Sequence, residues 1–182
     1  LKYLIRLLRS ARNDMLTKNF CKKNKDFTGN TILKSIVDEC TKHFSRMNYA
    51  YEKVISLAPF SKEQIEKLSN EDIAYIDQLI YRFTKLQDAI GQKLFKSVLQ
   101  SLDEQVSNKA AIDIFNRLEQ LGIIEDYEKW KELREIRNEL AHEYEEDLNE
   151  TAEKLNSLIK RKKDLADFFN NLLQYLEERE TN

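Results

Sequence analysis

The chain has 182 residues, 34% of them charged with both signs interspersed, and a formal net charge of −2. A chain of this length buries one core without disulfide or metal staples, and three Gly and one Pro leave little turn chemistry for hairpins, so an all-α fold is expected. The small negative charge argues against a wide electropositive nucleic-acid surface and leaves room only for a small, locally basic RNA site.

Residues up to about Met15 carry apolar side chains at Tyr3, Leu4, Leu7 and Leu8, the pattern of a short amphipathic helix. Arginine interrupts this stretch too often for a signal peptide. "CKKNKDFTGNT" is polar, contains Gly29 and reads as a loop. Residues 1–30 are therefore expected to form an N-terminal helical extension, and residues 31–182 a helical bundle domain. From Ile32 to about Leu57 the apolar positions keep a helical period, which Pro59 ends. "SKEQ" at 61–64 is a capping box for a short helix. Asn70 is expected to cap a long helix from Glu71 to about Leu102, with a stripe running Ile73, Ile76, Ile80, Phe83, Ile90, Leu94 and Val98. Gly91 inside it costs about 1 kcal/mol against alanine, which suggests a close helix crossing there. Asn108 is expected to open a helix that Gly122 closes as its C′ residue. A helix from Tyr127 to about Tyr144 follows, and Asn149 is expected to cap the last one, through Glu178. The sum is an antiparallel four- to five-helix bundle with an extra N-terminal helix.

Cys21 and Cys40 form no metal-binding spacing, and a reducing cytoplasm fits them best. No apolar run approaches the roughly 20 residues needed to span a bilayer, so no membrane association is expected. "KRKK" at 160–163 and the basic residues between Lys2 and Lys25 read as solvated helix faces.

The helix from Tyr127 carries the most informative stretch, "RNELAHEY" at 137–144. On a wheel of about 100° per residue, Trp130, Leu133, Ile136, Leu140 and Ala141 form an apolar stripe, and Arg137 lies within it. Tyr144 shares the line of Arg137. Asn138 and His142, four apart, stack on one flank with Arg134 between, whereas Glu128, Glu132, Glu135, Glu139 and Glu143 gather on the opposite, acidic face. A guanidinium seldom points into an apolar stripe without a partner. Either Arg137 pairs with a carboxylate from a neighbouring helix while His142 is a satisfied polar residue, or the stripe faces a cleft where both meet a phosphate. The cleft reading supplies what RNA cleavage without a metal needs. Histidine suits the proton transfers at the 2′-hydroxyl and the leaving 5′-oxygen, arginine the non-bridging oxygens, and Asn138 the orientation of either. One helix supplies one histidine, so a two-fold homodimer is the natural assembly. Arg82 either lines such a cleft or pairs with Asp77 or Asp88, the structural role being favoured. His43 shows no partner pattern and reads as a helix-face residue.

Arg137, Asn138, His142 and Tyr144 resemble the RxxxxHxY motif of HEPN-domain proteins, especially HepT-type toxins. "YRFTKLQDAIGQKLF" at 81–95, "RLEQLGII" at 117–124 and "WKELREIRNELAHEY" at 130–144 resemble one bacterial HEPN subfamily in the same order, over roughly residues 31–178. The resemblance implies a helical-bundle homodimer whose two motifs line a shared cleft, acting as a metal-independent endoribonuclease without cofactor. It also implies a minimal nucleotidyltransferase of the MNT type as antitoxin partner, able to transfer AMP to the motif tyrosine. Arg137 and His142 then correspond to the catalytic pair, Asn138 to the polar helper and Tyr144 to the modification site, with Arg134 and Arg82 as possible cleft residues. Some HEPN relatives serve as accessory or antitoxin subunits that bind a nucleotidyltransferase or nucleotide without cleavage, and a purely structural helical interaction protein is a third reading.

Overall fold

The computed structural model describes residues 31–124, 126–141 and 147–180, and all its regular elements are helices. The expected N-terminal helix within residues 1–30 lies outside them. Helix α1 spans Thr31–Val54 and tightens into a 3₁₀ turn, Ile55–Leu57, just before Pro59. Helix α2 is the short Lys62–Ile65, whose capping box is formed as expected, the Ser61 hydroxyl accepting from Gln64 N and the Gln64 side chain from Ser61 N.

The long central run is α3, Asn70–Ala89, a π-helical turn, Ile90–Leu94, and α4, Phe95–Gln100. Its cap is Ser69, one residue before the Asn70 expected from sequence. The Ser69 hydroxyl accepts from Asp72 N, and the Asp72 carboxylate accepts from Ser69 N at 3.1 Å. Serine wins because only its choice places an acid at the third helical position to complete the box. Helix α5, Ala111–Gln120, starts after the expected Asn108, which takes a left-handed φ of 65°. Gly122 closes it as expected, at φ 67°. Gly122 N donates to Glu119 O and Ile123 N to Leu118 O, the paired bonds of a Schellman turn.

Helix α6 is Tyr127–Ala141, and α7 is Leu148–Glu180. The cap of α7 is Asp147, not the expected Asn149, since Asn149 N donates to Asp147 Oδ1 at 2.8 Å. Asp126 caps α6, accepting from the amides of Glu128 and Lys129, and these bonds hold its carboxyl below the usual range.

Cross-helix contacts fix the topology. Glu39–Lys93, His43–Arg82 and Tyr49–Tyr75 run α1 antiparallel to the α3 run. Asp88–Arg137 and Gly91–Trp130 do the same for α3 and α6, and Trp130–Phe168 with Glu132–Arg161 for α6 and α7. Phe44–Phe169, with Lys162 over the Tyr51 ring, closes α7 back onto α1. The result is a four-helix antiparallel bundle with α2, α4 and α5 packed around it. Phe44, Phe83, Leu86, Leu133, Leu158, Phe169 and Leu172 are buried between the helices. The Asn156 side chain brackets Phe60, accepting from its amide at 2.8 Å and donating to its carbonyl at 2.9 Å, which pins the turn before α2 to α7.

The expected close crossing is present. Gly91 sits in the π-helical turn, and a Cβ built on it would lie 2.9 Å from Cζ2 of Trp130. Trp130 is 1% exposed and meets Phe95, Phe115 and Phe168 with ring centroids at 4.9, 5.7 and 5.3 Å. A residue without a side chain lets this indole enter the gap between α3 and α6, and that contact sets the register of the two helices.

Candidate functional site

Helix α6 presents its residues as its periodicity requires. Trp130, Leu133 and Ile136 are buried, while Glu128, Glu135 and Glu139 are exposed. Glu132 departs from the expected solvent face by pairing with Arg161 of α7, which also reaches Asp164 at 3.1 Å. Lys163 pairs with Asp167, and the Lys162 ammonium sits 4.5 Å from the Tyr51 ring centroid. Arg161 and Lys162 of "KRKK" therefore reach across to neighbouring helices, whereas Lys160 and Lys163 are exposed on α7.

Arg137 lies where the wheel placed it, at the seam between the apolar stripe and α3, with 31% of its side chain exposed. Its Nη2 donates to Asp88 Oδ1 of α3 at 2.6 Å, and its Nη1 donates to Asn138 Oδ1 at 2.8 Å. The Nε is buried and has no hydrogen-bond partner among the described residues. A guanidinium carries five N–H donors, and among the described residues these bonds engage one on each terminal nitrogen. Asp88, 24% exposed, also accepts a long bond of 3.4 Å from Gln92. Asp88 lies in the last turn of α3, just before the π-helical turn that holds Gly91 and Gln92, so the carboxylate that holds Arg137 stands next to the turn that admits Trp130. Such single-turn interruptions recur at functional sites because they re-aim side chains within a helix.

Asp88 is the residue that sequence reasoning missed in this role, having weighed it only as a partner for Arg82. A signal existed. If Gly91 faces Trp130 in antiparallel helices, a step back along α3 is a step forward along α6, and Asp88 falls opposite Leu133 to Arg137.

Of the two carboxylates expected for Arg82, Asp77 and Asp88, the latter is held by Arg137. Arg82 Nη1 lies 3.3 Å from His43 Nδ1, and its guanidinium carbon sits 4.9 Å from the Tyr81 ring centroid. Arginine can only donate, so His43 accepts at Nδ1 and carries its proton on Nε2. Burial, and next the Arg82 charge, hold the His43 imidazole below its ordinary pKa. His43 is thus a partnered residue of the α1–α3 seam, not a lone helix-face residue. Arg134 is exposed on α6, one turn before Asn138.

His142 and Tyr144 lie outside the described residues, immediately after α6. What the described part assembles is an oriented arginine, its carboxylate anchor and an adjacent amide, at the end of α6 that leads into them. Among the described residues no three His, Cys, Asp or Glu side chains are placed to hold a metal ion. Cys40 is buried, which pushes its thiol up to about 12 and leaves it unreactive at neutral pH. No described helix is long and apolar enough to cross a membrane.

A family model described as HepT-like, ribonuclease HepT-like, matches residues 47–172, a span that takes in Arg82, Asp88 and the whole "RNELAHEY" stretch and begins after His43. No curated protein and no solved structure matches.

Proposed function

The chain belongs to the HepT-like family, and from that premise we propose that it is an endoribonuclease toxin of a toxin–antitoxin pair, acting without a metal at a site shared between two copies. The observation that carries this reading is Arg137, a guanidinium held by Asp88 and Asn138 at the seam between the apolar stripe of α6 and α3. In the proposed reaction the substrate 2′-hydroxyl loses its proton to a general base and attacks the adjacent phosphorus. The P–O5′ bond breaks, and the leaving oxygen takes a proton from a general acid. His142 and its counterpart in a second copy supply the two proton-transfer groups, and Arg137 balances the charge on the non-bridging oxygens. The products are a 2′,3′-cyclic phosphate and a 5′-hydroxyl. A minimal nucleotidyltransferase is the proposed partner and antitoxin. Transfer of AMP from ATP to the Tyr144 oxygen, with release of pyrophosphate, adds bulk and negative charge seven residues beyond Arg137 in sequence and blocks substrate.

The Asp88–Arg137 ion pair also gives specific support to a second reading. An arginine already neutralised by a carboxylate suits an accessory subunit that binds a nucleotidyltransferase or nucleotide without cleaving RNA. Product chemistry together with solution mass separates the two. The ribonuclease reading requires a dimer that leaves cyclic phosphate ends on cut RNA. A monomer at micromolar concentration, or cleavage leaving 3′-hydroxyl ends, overturns it.

A further inference from the structure

One face of the bundle carries a concentration of positive charge that the arginine–histidine site does not use. On α1, Lys42, Arg46 and Lys53 are exposed, and His43 faces α3. On α3, Lys85 is exposed, and Arg82 reaches across to His43. Helical periodicity puts these residues on one strip, because the exposed side of α3 from Tyr81 to Lys85 lies between the α1 seam and Asp88. The strip therefore begins beside the Arg137 site and runs across α3 onto α1, where Lys42 to Lys53 cover about 16 Å at 1.5 Å per residue.

Aromatic rings are interleaved with the charges. Tyr81 is 51% exposed, with the Arg82 guanidinium 4.9 Å and the Lys85 ammonium 5.7 Å from its ring centroid. Tyr49 is equally exposed, packs edge-on against Tyr75, and has the Lys53 ammonium 5.6 Å from its centroid. Both rings stay half exposed and outside the buried core.

The carboxylates at the margins are already engaged, Glu39 by Lys93 and Asp88 by Arg137. Asp77 is the one acid between Ala74 and Lys85. Among the described residues, none of Lys42, Arg46, Arg82 and Lys85 forms an ion pair with a carboxylate. Burial, and after it the Arg82 charge, hold the His43 pKa down, with Arg46 and Lys85 acting in the same direction and Glu39 against it. On α1 the one acid between Lys42 and Lys53 is the exposed Glu52, so the strip carries a clear excess of positive charge.

We propose that this strip is a binding track for single-stranded RNA, in which a base stacks on Tyr81 and flanking phosphates are held by Arg46, Arg82 and Lys85, feeding the strand to Arg137. The proposal rests on the ribonuclease reading for the direction of the strand, though binding is measurable without cleavage. Stacking on an aromatic ring tolerates any base and is worth about 1–3 kcal/mol per base, roughly a 5- to 150-fold change in affinity. Single-stranded substrate suits the geometry because paired bases do not present their faces to a ring.

The test is fluorescence anisotropy with a fluorescein-labelled mixed-sequence single-stranded RNA whose 2′-hydroxyls are methylated, so that transesterification is impossible. The full chain is compared with Tyr81→Ala, Tyr81→Phe and the double substitution Arg46→Gln with Lys85→Gln. Helicity and melting temperature are checked in each. The track predicts at least fivefold weaker binding for Tyr81→Ala, near wild-type binding for Tyr81→Phe, and a salt dependence shallower by about 0.7 per lost phosphate contact in the double variant. Equal binding by wild type and all variants overturns the track, and so does a wild type that binds no RNA, which gives the surface to a protein partner. Cleavage of unmodified RNA is measured in parallel. Wild-type cleavage with unaltered binding in the variants removes the track and leaves the ribonuclease reading intact. Binding that depends on Tyr81 without any cleavage removes the ribonuclease reading and leaves the track.

Discussion

Substituting Gly91 by alanine separates two effects of opposite sign. Removing a glycine from a helical run is worth about 1 kcal/mol in the alanine variant's favour. The new methyl carbon, however, would stand 2.9 Å from Trp130 Cζ2, about half an ångström inside ordinary contact at 3.4–4 Å. The indole has nowhere to go, being walled by Phe95, Phe115 and Phe168. Overpacking of this kind typically costs about 1–3 kcal/mol. The clash outweighs the propensity gain, and Gly91→Ala is expected to lose about 1 kcal/mol net, or roughly 2–4 °C in melting temperature for a domain of this size. Trp130 is the only tryptophan, so intrinsic fluorescence reports the contact directly and should shift in the folded variant. A cycle with Trp130→Phe supplies the control. The smaller ring costs stability by itself, but in its background Gly91→Ala should become neutral or stabilising. A rise in melting temperature for the single variant, with an unchanged emission spectrum, would refute the reasoning and show that α6 does not press on the π-helical turn.

Other perturbations read the remaining parts of the structure. Asp88→Asn removes the charge that anchors Arg137 in a pair about one quarter to one third exposed. It should cost about 1–2 kcal/mol in denaturant titrations, between the values for surface and buried pairs. The same change should slow RNA cleavage by about ten- to a hundredfold through misplacement of Arg137, whereas an unchanged rate would show that Arg137 works without this partner. Asn156→Ala leaves the Phe60 amide and carbonyl without their partner and should cost about 1–3 kcal/mol, measured by thermal unfolding. His43 has a folded-state pKa below its unfolded one, so the unfolded chain binds the proton more readily. Stability should fall as pH drops through the ordinary histidine range near 6.5, and His43→Gln should flatten that decline between pH 7.5 and 5.5. An identical slope in the variant would place the pH dependence elsewhere.

Much of this architecture is legible in the sequence because it rests on local physics. The Ser61 box, the Gly122 turn and the buried stripe of α6 follow from spacing alone, and Gly91 marked the close crossing. The caps at Ser69 and Asp147 were read one or two residues late, because several neighbouring Ser, Asn and Asp side chains compete for the same orphan amides. The π-helical turn has no sequence signature of its own, since one inserted residue leaves composition and periodicity nearly unchanged. Placing Arg137 in the apolar stripe implied a partner, but choosing among the carboxylates of α3 required the register that Gly91 and Trp130 set. The His43–Arg82 contact bridges 39 residues and depends on the same kind of long-range register.

Cleavage of RNA by the purified chain, free of any partner and with chelator present, compared with Arg137→Ala and His142→Ala, tests the catalytic reading most directly. It predicts cutting by the wild type and loss of at least about a hundredfold in each variant, the scale of removing a charge-stabilising group or a proton-transfer group. A wild type that leaves RNA intact while all three proteins remain folded dimers, and without AMP on Tyr144, contradicts it and assigns the site to an accessory subunit.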